Sequence, residues 1–408
     1  MAKTTNLSLW IGALLLGAGV NGFAEDVTFG EAVTGGKAYL NFNLRYEGVD
    51  EDNVLEDAAA TTLLTRFGYR TGVWNGFSAH VEFEDSRIVL GGDEFSVPPT
   101  GFNTGQYSVV ADPETTELDQ AYVQYASPTQ AYKIRVGRQI ISYDSQRFVG
   151  AVPWRQDWQT FDGVHGEFKG VDNLTVKLGH IYKRNRIFAD MRDINSSDNL
   201  LDVSYQLPFG SLGGYAYLLE NDDLPSNALD TVGIRFKGST DLDSVKLLYK
   251  LEFATQDAES TAGNFDADYL GAEFGVGFEP VTVKVGVEVL GSDGGNYGFS
   301  TPLATLHKFN GWADLFLATP TAGLEDRYLS FSGKVEKFKY TVIYHDFASD
   351  SSATGVDDFG DEINFLLTRP IGDRYSFGLK YAAYSAGDAA GGKVDTDRVW
   401  TWFSAKFQ

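Results

Sequence analysis

Apolar and polar residues alternate along most of the chain. Over 37–46, Ala38, Leu40, Phe42, Leu44 and Tyr46 interleave with Tyr39, Asn41, Asn43 and Arg45. Over 62–73, Leu63, Thr65, Phe67, Tyr69, Thr71 and Val73 interleave with Arg66, Gly68, Arg70 and Gly72. Phe77, Ala79, Val81 and Phe83 then alternate with Ser78, His80, Glu82 and Glu84. Successive side chains of a strand point to opposite faces, so each run predicts a strand with one apolar and one polar face. A soluble sandwich gives the same alternation. Two features favour a membrane barrel. The polar faces carry Arg, Glu, Gln and Gly, as a wet lumen would. The connections also alternate in length: short at 74–76, 127–130, 170–173, 208–211, 239–243, 279–280, 336–338 and 371–373, long at 47–60, 86–116, 183–197, 292–327 and 349–358. Tight turns at one rim and long loops at the other is the outer-membrane arrangement.

The pattern parses into 18 strands, at 37–46, 61–73, 77–85, 117–126, 131–139, 160–169, 174–182, 198–207, 212–220, 228–238, 244–255, 265–278, 281–291, 328–335, 339–348, 359–370, 374–386 and 396–407. Sixteen strands is the alternative parse. The predicted fold is an all-β, transmembrane, antiparallel up-and-down barrel. Trp74, Trp400 and Trp402 fall near expected strand ends, where indoles suit the lipid interface. The last run, Val399, Thr401, Phe403, Ala405 and Phe407, alternates almost to the terminus.

Residues 1–24 read differently. Lys3, an apolar run over 7–20 and Gly22-Phe23-Ala24 form a secretory leader cleaved before Glu25. The remaining 25–408 carry no linker and read as one barrel domain. Past the leader there is no apolar run long enough for a transmembrane helix. With no Cys, the chain has neither disulfides nor thiol metal sites. A net charge of −23 argues against a nucleic-acid partner. The partners expected are outer-membrane lipid, in a Gram-negative bacterium, and a solute.

A barrel this wide leaves an aqueous channel. Loops 86–116, 138–159 and 292–327 are long enough to fold in and set the constriction. Charge at the narrow point would set selectivity. Arg45, Arg66, Arg70, Lys133 and Arg135 lie on predicted lumenal faces and suggest a basic ladder for an anionic solute. The stretch 133–192 holds 11 bases against 6 acids in an otherwise acidic chain. Arg138 breaks the parity of its strand, and Arg147 and Arg155 fall in a loop with Trp154 and Trp158 that tucks into the barrel mouth. Catalysis is not indicated: His80, His165, His180, His307 and His345 sit in no H-E-x-x-H motif, and no G-x-S-x-G elbow occurs. No cofactor or metal is expected. An adhesin or purely structural barrel is the remote alternative to a channel.

The stretch Gly137-Arg138-Gln139, Asp144-Ser145-Gln146-Arg147-Phe148-Val149-Gly150, Trp154-Arg155-Gln156 and Gln159-Thr160-Phe161-Asp162 resembles the alginate export family of outer-membrane proteins. So does Leu306-His307-Lys308-Phe309-Asn310-Gly311-Trp312-Ala313-Asp314, followed by Thr319-Pro320 and Gly323-Leu324-Glu325-Asp326-Arg327-Tyr328. The resemblance implies an 18-stranded barrel that passes an acidic exopolysaccharide, together with periplasmic secretion partners. It implies pore-lining basic residues at the matching positions Arg138, Arg147 and Arg155, where guanidinium forks pair with carboxylates. A porin for small solutes, anionic sugars among them, is the competing expectation.

Overall fold

A computed structural model describes residues 27–224 and 226–408, so the expected leader lies outside the described residues. The strands are β1 (Lys37–Glu51), β2 (Ala58–Arg70), β3 (Phe77–Glu94), β4 (Thr115–Ala126), β5 (Tyr132–Gln139), β6 (Thr160–Val171), β7 (Leu174–Asn185), β8 (Ile194–Leu207) and β9 (Gly210–Glu220). They continue as β10 (Ala228–Leu242), β11 (Val245–Ser260), β12 (Gly263–Phe278), β13 (Val281–Leu290), β14 (Leu324–Val335), β15 (Phe338–Ala348), β16 (Asp358–Ile371), β17 (Tyr375–Ala386) and β18 (Thr396–Phe407). Each pairs antiparallel with its neighbours in sequence, and β1 also pairs with β18 from Leu40↔Phe407 to Glu51↔Thr396. The sheet therefore closes into an 18-stranded barrel with no free edge. Closure is what lipid demands, since an unpaired strand edge there finds no water.

All 18 expected strands form, but several run further toward the loop rim. β3 reaches Glu94, and β11 and β12 extend until only residues 261 and 262 connect them. A bilayer needs about 9–11 residues per strand, so these ends stand in water. There the outward positions Asp257, Glu259, Asp266 and Asp268 are acidic and exposed, as a water-facing rim requires.

The outward positions form an apolar girdle. Phe67, Phe83, Val123, Val136, Leu251, Val285 and Phe403 are all exposed. The pairs Phe67↔Phe83 and Val123↔Val136 sit side by side in register, which keeps the girdle continuous across strands. At the turn rim, Asn75 (φ 50°) and Gly76 (φ 84°) make the two-residue left-handed turn that matches strand twist. A short helix α1 (Phe29–Thr34) starts on a capping box between Thr28 and Glu31. It docks on this turn, with Phe29 edge-on to Trp74 at 5.5 Å and the Gly72 N–H bonded to the Ala32 carbonyl at 2.8 Å.

Two of the three indoles expected at the lipid interface are elsewhere. Trp400 is fully buried inside the barrel, and Trp402 faces inward with its ring 5.4 Å from that of Trp154. The physical reason is a second core, inside the lumen. Tyr143, Phe148, Phe161, Ile181, Leu200, Tyr217, Phe299, Trp312, Phe316, Phe347 and Trp400 are buried together there.

Candidate functional site

Two loops build this inner core. Loop A (140–159) joins β5 to β6, and loop B (291–323) joins β13 to β14. Both turn into the lumen and zip together. Val149 and Leu303 form a parallel bridge, the Gly150 N–H bonds the Leu303 carbonyl at 2.8 Å, and the Thr305 N–H bonds the Gln146 carbonyl at 3.0 Å. The Gln159 amide donates to both the Gly150 and Leu303 carbonyls. The backbone turns left-handed at Asp144, Gln146, Val152, Asn310, Gly311 and Asp314. At Gly311 a Cβ would stand 2.3 Å from Glu362 Oε2, so only glycine lets the loop approach β16. Glu362 then accepts the Trp312 and Ala313 N–H groups. A third segment, 95–114, packs Phe95, Val97 and Val110 over β1 and β2 and sends Asp112 inward.

Buried arginines bind this roof to the wall. Arg147 reaches Glu288 on β13 at 2.8 Å, with Thr301 and Asn310 beside it. Arg155 bridges Glu47 on β1 at 3.1 Å and Asp314 of loop B at 2.6 Å. Arg45 pairs with Asp112 and donates to the Trp154 carbonyl. Arg66 sits among Glu82, Glu84 and Asp119, and stacks 3.8 Å from the Trp158 ring centroid. Burial alone would lower the pKa of Arg155, but Glu47, Asp314 and Asp112 reverse that and hold it above the ordinary arginine value. Asp314 stays ionised despite burial, because His307, Arg155 and Arg398 face it. Removing one partner of such a pair strands a buried charge and costs about 3–5 kcal/mol.

The eight basic residues singled out from the sequence thus separate. Arg45, Arg66, Arg147 and Arg155 are buried ties within the roof and its sockets. Arg70, Lys133 and Arg135 face the lumen on the turn side. Arg70 lies 5.2 Å from the Tyr39 ring centroid, and Arg135 donates to Gln124 at 2.9 Å and lies 5.3 Å from the Tyr122 ring. Among the described residues none of these three forms an ion pair. Arg138 moves out of the lumen. It shares the outward parity of Val136, forks onto Asp162 at 2.7 and 3.1 Å, and bonds the Leu118 carbonyl. The cause is ordinary alternation: Arg138 stands two positions after Val136, the register is unbroken between them, and both therefore face outward.

Below the roof the lumen stays open. A cavity of about 450 Å³ lies against β11–β15, with Phe309, Asn310 and Trp312 as its ceiling. It runs down to Ser332 and Thr341, three residues from the strand ends Val335 and Phe338, and so opens toward the turn rim. Lys250, Lys284 and Lys308 enter it. Lys250 pairs with Glu252 and Lys284 with Glu273, each at 2.9 Å. Lys308 donates to the Ser145 carbonyl at 2.9 Å, and burial, with Lys250 and Lys237 nearby, lowers its pKa. His345 gives its Nδ1 to Asp326 at 2.8 Å and leaves Nε2 without a partner. Ammonium groups, hydroxyls and aromatic faces share this cavity with Glu273, Glu288 and Asp326, a lining that suits a polyhydroxylated solute. Among the described residues, no His, Asp and Glu group has metal-ligand geometry.

Several of these residues were missed in the sequence. Lys177 shares the lumenal parity of Gly179 and Ile181 and lies 5.3 Å from the Tyr143 ring centroid, so strand alternation could have found it. Lys308 and His307 are loop residues, and no period reaches them.

The sequence model of the alginate export family matches residues 34–290. That match ends before the second resembling block, at 306–328. No curated protein matches the chain. Solved structures with the same fold include OccAB4 of Acinetobacter baumannii, at 14% identity and TM-score 0.70 over 91% of this chain and 98% of that one. OpdK of Pseudomonas aeruginosa, solved with vanillate, aligns at 11% identity and TM-score 0.70 over 92% of this chain and 99% of that one. A BenF-like porin from Pseudomonas fluorescens Pf-5 aligns at 13% identity and TM-score 0.70 over 92% and 100%. At such identities the likeness is one of fold.

Proposed function

The chain belongs to the alginate export family and is an outer-membrane β-barrel channel, and from that premise we propose that it passes an anionic solute, polysaccharide or sugar acid, across the outer membrane of a Gram-negative bacterium. The observation that carries this reading is the lumenal set Lys133, Arg135 and Lys177, basic side chains on β5 and β7 that form no ion pair among the described residues. A low-dielectric wall focuses their field into the water of the pore, whatever the net charge of the whole chain. Reversal potentials across a planar bilayer under a salt gradient test it. Anion selectivity is expected, and cation selectivity overturns the proposal.

A second reading, a selective porin for small solutes, is favoured by the roof. Loops A and B pack into the loop-side lumen and are tied there by buried ion pairs, which narrows the way for a polymer more than for a small solute. Vanillate, named with OpdK, is a small carboxylate of the kind this reading admits. Current block separates the two readings. A monomeric uronate that interrupts current while a polyuronate does not supports the porin; block by both supports the polymer channel.

A further inference from the structure

Lys380 on β17 points into the lumen and is buried, 5% exposed. Its ammonium lies 4.2 Å from the ring centroid of Trp154 in loop A, 4.0 Å from Trp312 in loop B and 5.5 Å from Trp400 on β18. The fourth side is His307, whose Nε2 is 2.6 Å away. The His307 ring stacks on Trp154 at 4.6 Å and 8°, and its Nδ1 faces Asp314 at 2.7 Å. That contact fixes Nδ1 as the donor, which leaves Nε2 to accept from the lysine. Among the described residues, no carboxylate pairs with Lys380.

Indoles around a cation are the arrangement that recognises alkylammonium ligands, and a desolvated contact of this kind contributes about 2 kcal/mol or more. Here the three indoles come from three separate segments, and the cation lies over all of them. We propose that the junction of loops A and B with β17–β18 is an alkylammonium site occupied by the chain's own Lys380, and that this occupancy latches the roof to the wall. The ion pairs of Arg147 and Arg155 fasten the roof at β13 and β1; the lysine fastens it at β17, and it does so without a carboxylate. A site held by ring faces and one imidazole nitrogen can therefore be emptied and refilled by a free amine of the same shape.

The inference rests on the channel reading, and the experiment keeps the two apart. Single-channel currents are recorded in planar bilayers from the full chain and from Lys380→Ala and Lys380→Met. If the parent gives no current, the channel reading fails. With a conducting parent, both variants are expected to show a higher-conductance level. Propylammonium, which replaces the atoms removed in Lys380→Ala, should abolish that level in this variant. It should not do so in Lys380→Met, whose side chain still fills the space, and sodium should do so in neither. Conductance unchanged in both variants overturns the latch. Equal suppression by sodium, or suppression in Lys380→Met, overturns the alkylammonium site. If Lys380→Ala fails to assemble, the near-isosteric Lys380→Met carries the same expectation of opening, and an unchanged current there is sufficient to overturn the latch.

Discussion

The two halves of the lumen are built on opposite principles. On the loop side the roof arginines are spent: Arg45 on Asp112, Arg147 on Glu288, Arg155 on Glu47 and Asp314. Buried inward positions there mix these ties with an apolar core, as Ile181, Leu200 and Phe347 illustrate. On the turn side Lys133, Arg135 and Lys177 stand in the lumen and form no ion pair among the described residues, although Glu167 lies between Lys133 and Lys177 in register. The first half resembles the interior of a soluble protein. The second resembles a surface turned inward. The same residue type therefore means different things by height: arginine is a fastener above and a field source below.

That contrast can be broken from above with the largest effect. Arg155→Ala removes the bridge between Glu47 and Asp314, leaving them the more distant Arg398, and should destabilise the roof by up to about 3–5 kcal/mol while the barrel stays closed. The expected record is a noisy, larger conductance from a protein whose barrel still melts at the parental temperature. Loss of the barrel itself would mean that roof and wall are one cooperative unit.

Acid should act on the same half, less strongly. Burial, with Lys380 and Arg155 near, holds His307 neutral against the pull of Asp314 and lowers its pKa from 6.5 to about 3. The unfolded imidazole binds its proton first as pH falls. The contribution of His307 is therefore whole above pH 6.5 and shrinks from there toward pH 3, by about 1.4 kcal/mol per pH unit. Roof opening, followed as channel noise, should rise across that window, and His307→Gln should flatten the profile.

From below, the triple change Lys133→Gln, Arg135→Gln and Lys177→Gln should cut anion selectivity in reversal-potential measurements. It should move stability by no more than roughly 0.5 kcal/mol per site, since none is tied into a buried network. A large fall in melting temperature would erase the distinction between the halves.

The smallest effect tests a loop A residue that does not fit its surroundings. Asp157 is buried, with the Ala189 N–H at 2.7 Å, and burial together with Glu117 raises its pKa well above 3.8. A raised carboxyl weakens the fold as pH climbs past the unfolded value. Asp157→Asn should therefore raise the melting temperature slightly at pH 7 and leave it unchanged near pH 3.

The lower half and the girdle were legible in the sequence because period-2 alternation reports one dry face and one wet face. It placed Lys133 and Arg135 as the structure has them. The upper half was not legible, because loops A and B make the lumen dry. Once both faces of a strand are apolar, alternation carries no sign, and Trp400 reads as a lipid-facing ring. Arg138 was given to the pore by the family resemblance, against the outward parity it shares with Val136. Lys380, for its part, is an inward polar residue by parity, but its cage is assembled from positions 154, 307, 312 and 400, which no local pattern connects.

The Arg155 bridge also fixes an order of events. It joins Glu47, 108 positions earlier, to Asp314, 159 positions later. Such distant partners meet late in folding. Glu47 lies opposite Trp400 in the seam between the first and last strands, so its socket is complete only after the seam has shut. We infer that the Arg155 tie is completed only once the barrel has closed, so that the roof is fastened last at this corner. Each new copy would be most permeable before that tie forms, and whatever delays it would prolong the leak.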